Sequence, residues 1–173
     1  DELLATTDVQ FVVLGSGEWQ YESFFKEMAD KYPDKMGLKL GFIPSLSKKI
    51  YAGCDMFLMP SQSEPCGLAQ MISCRYGTIP IVRETGGLRD SIQDAGDKGG
   101  NGFTFKTYNA HDMLDACRRA KEYYDKSLKF MVFGNVLRNG TYPISVSSER
   151  IFQGMAIARY ANEIGADAIA HGS

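Results

Sequence analysis

Histidine is almost missing from this sequence, with two among 173 residues, and tryptophan occurs once. Four cysteines are present (Cys54, Cys66, Cys74 and Cys117), but none share a C-x-x-C spacing. A metal centre is therefore not expected, since zinc sites are built from clustered Cys and His. The thiols read instead as reduced and buried, in a cytoplasmic protein. No sign of charge prevails: the formal net charge is −2. That excludes the basic field that holds a nucleic acid or an acidic membrane face. Nor does any apolar run approach the ~20 residues that span a bilayer. Asp1-Glu2-Leu3-Leu4 lacks the basic segment of a signal peptide. It also lacks an initiating methionine, so we expect the sequence to start inside a longer protein.

What is present is the balance of a folded protein, 44% hydrophobic and 23% charged residues. The length suits one domain with a real core. Short apolar runs at 9–14, 38–42, 56–59 and 79–82 read as strands, and 102–105 as one more. Between them lie helical stretches. Tyr21, Phe24, Phe25, Met28, Ala29 and Tyr32 recur at helical spacing before Pro33. Further helices are expected over 46–52 and 68–76, the latter capped by Gly77, and from the N-cap Asn109 to about residue 124. Strands alternating with helices imply right-handed βαβ units, hence an α/β fold with a doubly wound parallel sheet. In such sheets ligands lie beyond the carboxyl ends of the strands. The loops to inspect are 15–19, 41–45, 60–68 and 83–88.

The third of these runs Pro60-Ser-Gln-Ser-Glu-Pro-Cys-Gly-Leu68. Free N–H groups at a helix start suit an anion, and Gly67 lets backbone approach a ligand, so a diphosphate would need no metal here. A carboxylate repels phosphate, so Glu64 would face neutral hydroxyls such as those of a sugar. A second reading stands beside it, in which Glu64 merely caps the helix. The fourth loop, Arg83-Glu84-Thr85-Gly86-Gly87-Leu88, is open to two readings as well: backbone contact with a ligand, or a tight turn that needs positive φ. Gly15-Ser16-Gly17 follows a strand, but Gln20 stands where a dinucleotide fingerprint needs its third glycine. Phe42 sits at a strand tip, where it would either stack on a base or pack into the core. His111 is read as solvated or capping.

Taken together, residues 15–25, 49–92 and 100–114 resemble bacterial glycogen synthases and plant starch synthases. The carrying motif is EPCGL (64–68) followed by YGTIPIVRETGGL (76–88). The resemblance covers about residues 5–127 and implies a Rossmann-like, nucleotide-sugar-binding domain over 1–128, the C-terminal domain of a GT-B glycosyltransferase. The activity it implies is retaining transfer of glucose from ADP-glucose to an α-1,4-glucan, with no metal or other cofactor. By position, Glu64 matches the acid that contacts the donor glucose. Cys66, Gly67, Leu68 and Ala69 match the backbone around the glucose hydroxyls and distal phosphate. Phe42 matches an aromatic against the adenine, and Thr85, Gly86 and Gly87 line the donor cleft. Related transferases carry a second acid eight residues after the first, where this sequence has Ile72; glycogen synthases lack it too. The family's donor-phosphate arginine and lysine lie upstream of this sequence, and its acceptor-side domain is absent. Weak donor binding without transfer is the expectation for this chain alone.

Beyond about residue 129 a different family is resembled. Residues 134–150 and 156–173 are similar to argininosuccinate synthase, with Tyr142 at a citrulline-contacting position and Ala170-His-Gly-Ser173 opening a glycine-rich loop. The expected elements are strands at 130–133 and 168–170 and an amphipathic helix at 148–164, a βαβ piece docked on the first sheet. The chain thus reads as a chimera. Two alternatives to a donor-binding domain remain: a non-catalytic α/β scaffold, and a ligase fragment.

Overall fold

The computed structural model describes residues 1–96, 100–128, 137–138 and 142–143. Contacts divide the chain into Asp1–Cys117 and Arg118–Ser173. In the first unit α1 (Glu2–Thr6), β1 (Phe11–Gly15), α2 (Trp19–Lys31), β2 (Met36–Leu40) and α3 (Pro44–Gly53) come first. Then follow β3 (Met56–Met59), α4 (Ala69–Arg75), β4 (Ile79–Arg83), α5 (Gly86–Ser91), β5 (Phe103–Phe105) and α6 (Ala110–Tyr123), which runs past the unit's end. The expected α/β alternation is present. Helix α1 was not expected, and α5 starts within the paired glycines, which were read as the turn between a strand and a helix.

All pairing in this unit is parallel, but it forms two ladders. β1 pairs β2, with Phe11 opposite Met36 and Gly15 opposite Leu40. β3, β4 and β5 form the other, with Met56 opposite Ile79 and Ile81 opposite Phe103. The strand orders are β1-β2 and β3-β4-β5, each joined through helical crossovers as the α/β reading predicts. Among the described residues neither β1 nor β3 takes a ladder partner on its second edge. In a parallel strand, alternate residues direct both N–H and C=O to one side. Phe11 donates to Lys35 and Gly15 accepts from Gly41, so Val12 and Leu14 turn theirs to the open side.

Pro80 sits within the central strand β4, where a missing donor is usually excluded. Its position makes it harmless. Ile79 donates toward β3, to Asp55, so the nitrogen of Pro80 faces β5, and β5 pairing begins only at Ile81. Gly102 then packs on the ring: a Cβ there would lie 2.7 Å from Cγ of Pro80.

Apolar burial fills both ladders' inner faces. Leu4, Met28 and Met36 form one cluster, with Phe11, Val13 and Phe25 against it. Val82, Leu88 and Ile92 form another, with Met59 at its side. Helix α4 ends as the sequence predicts. Gly77, at φ 82°, lets its N–H reach Cys74 O and that of Thr78 reach Ser73 O, a Schellman closure. The Thr78 hydroxyl then lies 2.8 Å from Tyr51 O and 3.0 Å from Cys54 O, which joins the end of α3 to the start of β4. Asn109 caps α6 through Asp112 N at 2.8 Å, again as expected.

The second unit holds the end of α6, a π-helical turn (Tyr124–Leu128) and an antiparallel pair, β6 (Leu137–Arg138) with β7 (Tyr142–Pro143). The strands expected at 130–133 and 168–170 and the helix expected at 148–164 lie outside the described residues.

The thiols depart from the uniform burial expected of them. Only Cys117 is buried; Cys54 is half-buried, and Cys66 and Cys74 are exposed. Cys66 sits on the outer side of a loop, and Cys74 on the outer side of α4. No helix among the described residues is long and apolar enough to cross a membrane.

Candidate functional site

The loops at the carboxyl ends of β3 and β4 meet backbone to backbone. Four carbonyls along 62–67, those of Gln62, Glu64, Cys66 and Gly67, accept from donors on β4, α5 and α4. Arg83 gives Nη1 to Gln62 O at 2.8 Å, and its guanidinium lies 5.5 Å from the Tyr108 ring. Gly87 N donates to Glu64 O at 3.1 Å. Gln70 Nε2 donates to Gly67 O at 2.8 Å and, more weakly, toward Cys66 O at 3.4 Å. This contact explains the paired glycines of α5. A Cβ on Gly86 would collide with Glu64 O, and one on Gly87 with Cys66 O. Gly86 also takes φ 45°, the left-handed range that a side chain disfavours.

Because no peptide here is cis, an inward carbonyl turns the following N–H outward. Gly67 adopts φ 69°, and Leu68 follows in the right-handed helical region at φ −106°, ψ −27°. Such a left-then-right pair makes three successive N–H groups converge, a concavity suited to an anion. The N–H groups of Gly67, Leu68 and Ala69 donate to no protein acceptor among the described residues. Gly67 itself is buried, whereas Cys66 and Leu68 are exposed.

Glu64 is half-buried, and its carboxylate takes no hydrogen bond or ion pair among the described residues. It does not cap α4. That helix has Leu68 at its N-cap and no side-chain cap bond. Thr85 is the N-cap of α5 and accepts from Leu88 N at 3.1 Å through its carbonyl. The structure thus brings Glu64 and Cys66 against Gly86 and Gly87, with Gly67, Leu68, Ala69 and Thr85 continuing the two segments.

Phe42 stands apart on the other ladder. It follows β2 and is 91% exposed, which removes the reading that it packs into the core. Trp19 and Tyr21, beyond β1, are exposed as well. His111 is exposed at the start of α6.

One residue packed behind this loop escaped the sequence reading. Gln70 is fully buried, and its carboxamide also donates to Ser91 Oγ at 3.1 Å. Ser91 passes its own proton to Gly87 O at 2.6 Å. The available signal was faint: a glutamine two residues after Leu68, on a helix whose apolar residues drew attention to the opposite side.

Comparison with known proteins adds the family. The model of the glycosyl transferases group 1 family matches residues 2–131. The chain is 57% identical over 123 residues to a glycogen synthase of Geobacillus thermodenitrificans, covering 70% of this chain and 25% of that protein. It is 51% identical over 140 residues to a glycogen synthase of Alkaliphilus metalliredigens, covering 80% and 29%. Among solved structures, the catalytic domain of starch synthase IV from Arabidopsis thaliana, bound to ADP and acarbose, is similar with a TM-score of 0.65. Identity there is 35%, over 83% of this chain and 31% of that one. The chain therefore spans about a quarter of the length of the curated relatives it matches.

Proposed function

Because this chain belongs to the glycosyl transferases group 1 family, we propose that residues 1–128 form the nucleotide-sugar-binding part of a retaining glucosyltransferase of the glycogen and starch synthase type. The donor we assign is ADP-glucose, and the acceptor of the whole protein an α-1,4-glucan. For this chain the proposal is donor binding; transfer also needs an acceptor held opposite the donor in reacting geometry.

One observation carries the reading. Three unpartnered amides at Gly67, Leu68 and Ala69 converge within a few residues of Glu64, whose carboxylate has no protein partner among the described residues. Amides without acceptors suit the distal phosphate, and a carboxylate without donors suits the hydroxyls of a neutral sugar. A nucleoside diphosphate joined to a sugar presents both in the order the loop needs. Glu64 is the residue we place on the donor glucose, as the catalytic acid of this half-site. Cys66 lends backbone to the same contacts, Thr85, Gly86 and Gly87 wall the cleft, and Phe42 offers its exposed ring to the adenine. No resident metal or cofactor enters this scheme. A cytoplasmic site of action goes with four free thiols.

Calorimetric titration of the chain with ADP-glucose, and with ADP, tests the reading. Both ligands are expected to bind saturably, and Glu64→Gln to weaken ADP-glucose by about tenfold while leaving ADP unchanged. Equal losses for the two ligands would remove Glu64 from the sugar. Absence of binding by a cooperatively folded chain would leave an inherited scaffold.

A further inference from the structure

Gln70 makes no approach to the loop's outer face, yet its position suggests a part in ligand binding. Its side chain is completely buried, an uncommon place for a primary amide. The two ends of the carboxamide differ. Nε2 serves Gly67 O at 2.8 Å, Ser91 Oγ at 3.1 Å and, at 3.4 Å, Cys66 O. Oε1 is buried with no partner among the described residues. A buried acceptor left unpaired is costly. The Oε1 end of the amide therefore works against stability, and what the residue contributes lies in its donors.

Its donors do something an apolar group could not. By holding the carbonyls of Cys66 and Gly67 inward they turn the next two N–H groups, those of Gly67 and Leu68, outward. Ser91 extends the hold to α5, because its hydroxyl binds Gly87 O while its oxygen accepts from Gln70. Gly87 N in turn holds Glu64 O. One buried amide thus fixes the direction of the anion-facing backbone and couples it to the glycines opposite. A side chain at Gly67 would press on the same amide, its Cβ lying 2.6 Å from Gln70 Oε1, and φ 69° disfavours one there in any case.

We propose that Gln70, with Ser91 behind it, is a positioning residue that aims the Gly67, Leu68 and Ala69 amides at a diphosphate. This rests on the donor-binding reading above, but the amides can be probed without a nucleotide. Inorganic pyrophosphate titrated into the 173-residue chain, followed by amide NMR, is expected to shift residues 67–69. In Gln70→Met the affinity should fall by about tenfold or more, and in Ser91→Ala by a smaller factor, while adenosine still perturbs Phe42 as in the parent. Ser91→Ala carries the test if Gln70→Met does not fold.

Pyrophosphate affinity unchanged in a folded Gln70→Met, or in Ser91→Ala where that variant carries the test, would overturn the role of Gln70. So would pyrophosphate that leaves residues 67–69 unmoved in the parent chain. Equal losses for pyrophosphate and adenosine would assign Gln70 to the fold and likewise overturn the proposal. If pyrophosphate behaves as expected but ADP-glucose fails to bind, the donor assignment falls and the positioning role stands.

Discussion

Gly87 lies against the carbonyl of Cys66 with no room for a side chain between them. The contact locks the loop after β3 to the start of α5, and every candidate residue of the site except Phe42 lies on one of these two segments or, as Ala69 does, directly beside it. A methyl group on Gly87 would push the loops apart, and neither side can yield, because both are backbone. Gly87→Ala should therefore destabilise the chain by about 2–3 kcal/mol, at the upper end for overpacking. Gly17→Ala is the control: a Cβ there meets nothing within 4 Å, and a change within about 0.5 kcal/mol is expected. Urea denaturation of the three proteins decides it. Equal midpoints for Gly87→Ala and the parent would mean that the two loops are not locked.

The thiols give a second, chemical test of the same loop. Cys66 is exposed on it, whereas Cys117 is buried in α6, and burial pushes the Cys117 thiol up to about 11. At pH 8 about one Cys117 in a thousand would be thiolate, even before access is considered. Alkylation followed by mass spectrometry should therefore label Cys66 first and Cys117 last. The Cys117 rate should climb about tenfold per pH unit until pH 11. ADP-glucose should slow labelling of Cys66 alone. Labelling of Cys117 ahead of Cys66 would contradict the placement of both.

Much of this fold was legible because certain signals are local. Residues 56–59 are apolar without interruption and stopped by Pro60, and β3 occupies those positions and no others. Gly77 and Asn109 announce helix ends through their own backbone chemistry, and both act as expected. What was not legible depends on contacts distant in sequence. Paired glycines are the poorest helix formers after proline, so Gly86 and Gly87 read as loop. They open α5 because only glycine fits against the carbonyls of Glu64 and Cys66. Helix α4 inverts the usual apolar stripe for a related reason. Leu68, Met71 and Ile72 are exposed, while Gln70 and Ser73 are buried. Gln70 faces loop carbonyls that need donors, and Ser73 bonds the helix's own Gln70 O; hydrophobic periodicity cannot register either. Glu64 lay between these cases. Its motif was recognisable, but only the placement of the α4 N-cap at Leu68 removed the capping reading.

The open edge of β1 makes a third prediction. Val13 donates within the β1-β2 ladder, whereas Val12 and Leu14 turn their N–H groups to the side where no described strand lies. Val12 is also 56% exposed, within an apolar run suited to burial on both faces. Native-state hydrogen exchange should show Val12 and Leu14 exchanging at least about tenfold faster than Val13. Equal protection at all three positions would show that another strand covers this edge.

The cap of α6 sets a pH dependence that can be worked through in sign. Asp112 is held below the usual carboxylate range, first by a side-chain hydrogen bond with Thr107 and then by the Thr107 backbone N–H, which lies 3.1 Å from Oδ2. Asn109 and His111 lower it further. A carboxyl whose pKa is depressed on folding contributes stability above its unfolded pKa, about 3.9. That contribution disappears as pH falls through the folded value. Asp112→Asn should therefore lower the denaturation midpoint at pH 7. The gap to the parent should narrow from about pH 4 downward and close once the carboxyl is protonated in both states. A gap that stays constant down to pH 2 would mean that the amide of asparagine fails for reasons of shape, and that charge at Asp112 contributes nothing to the start of α6.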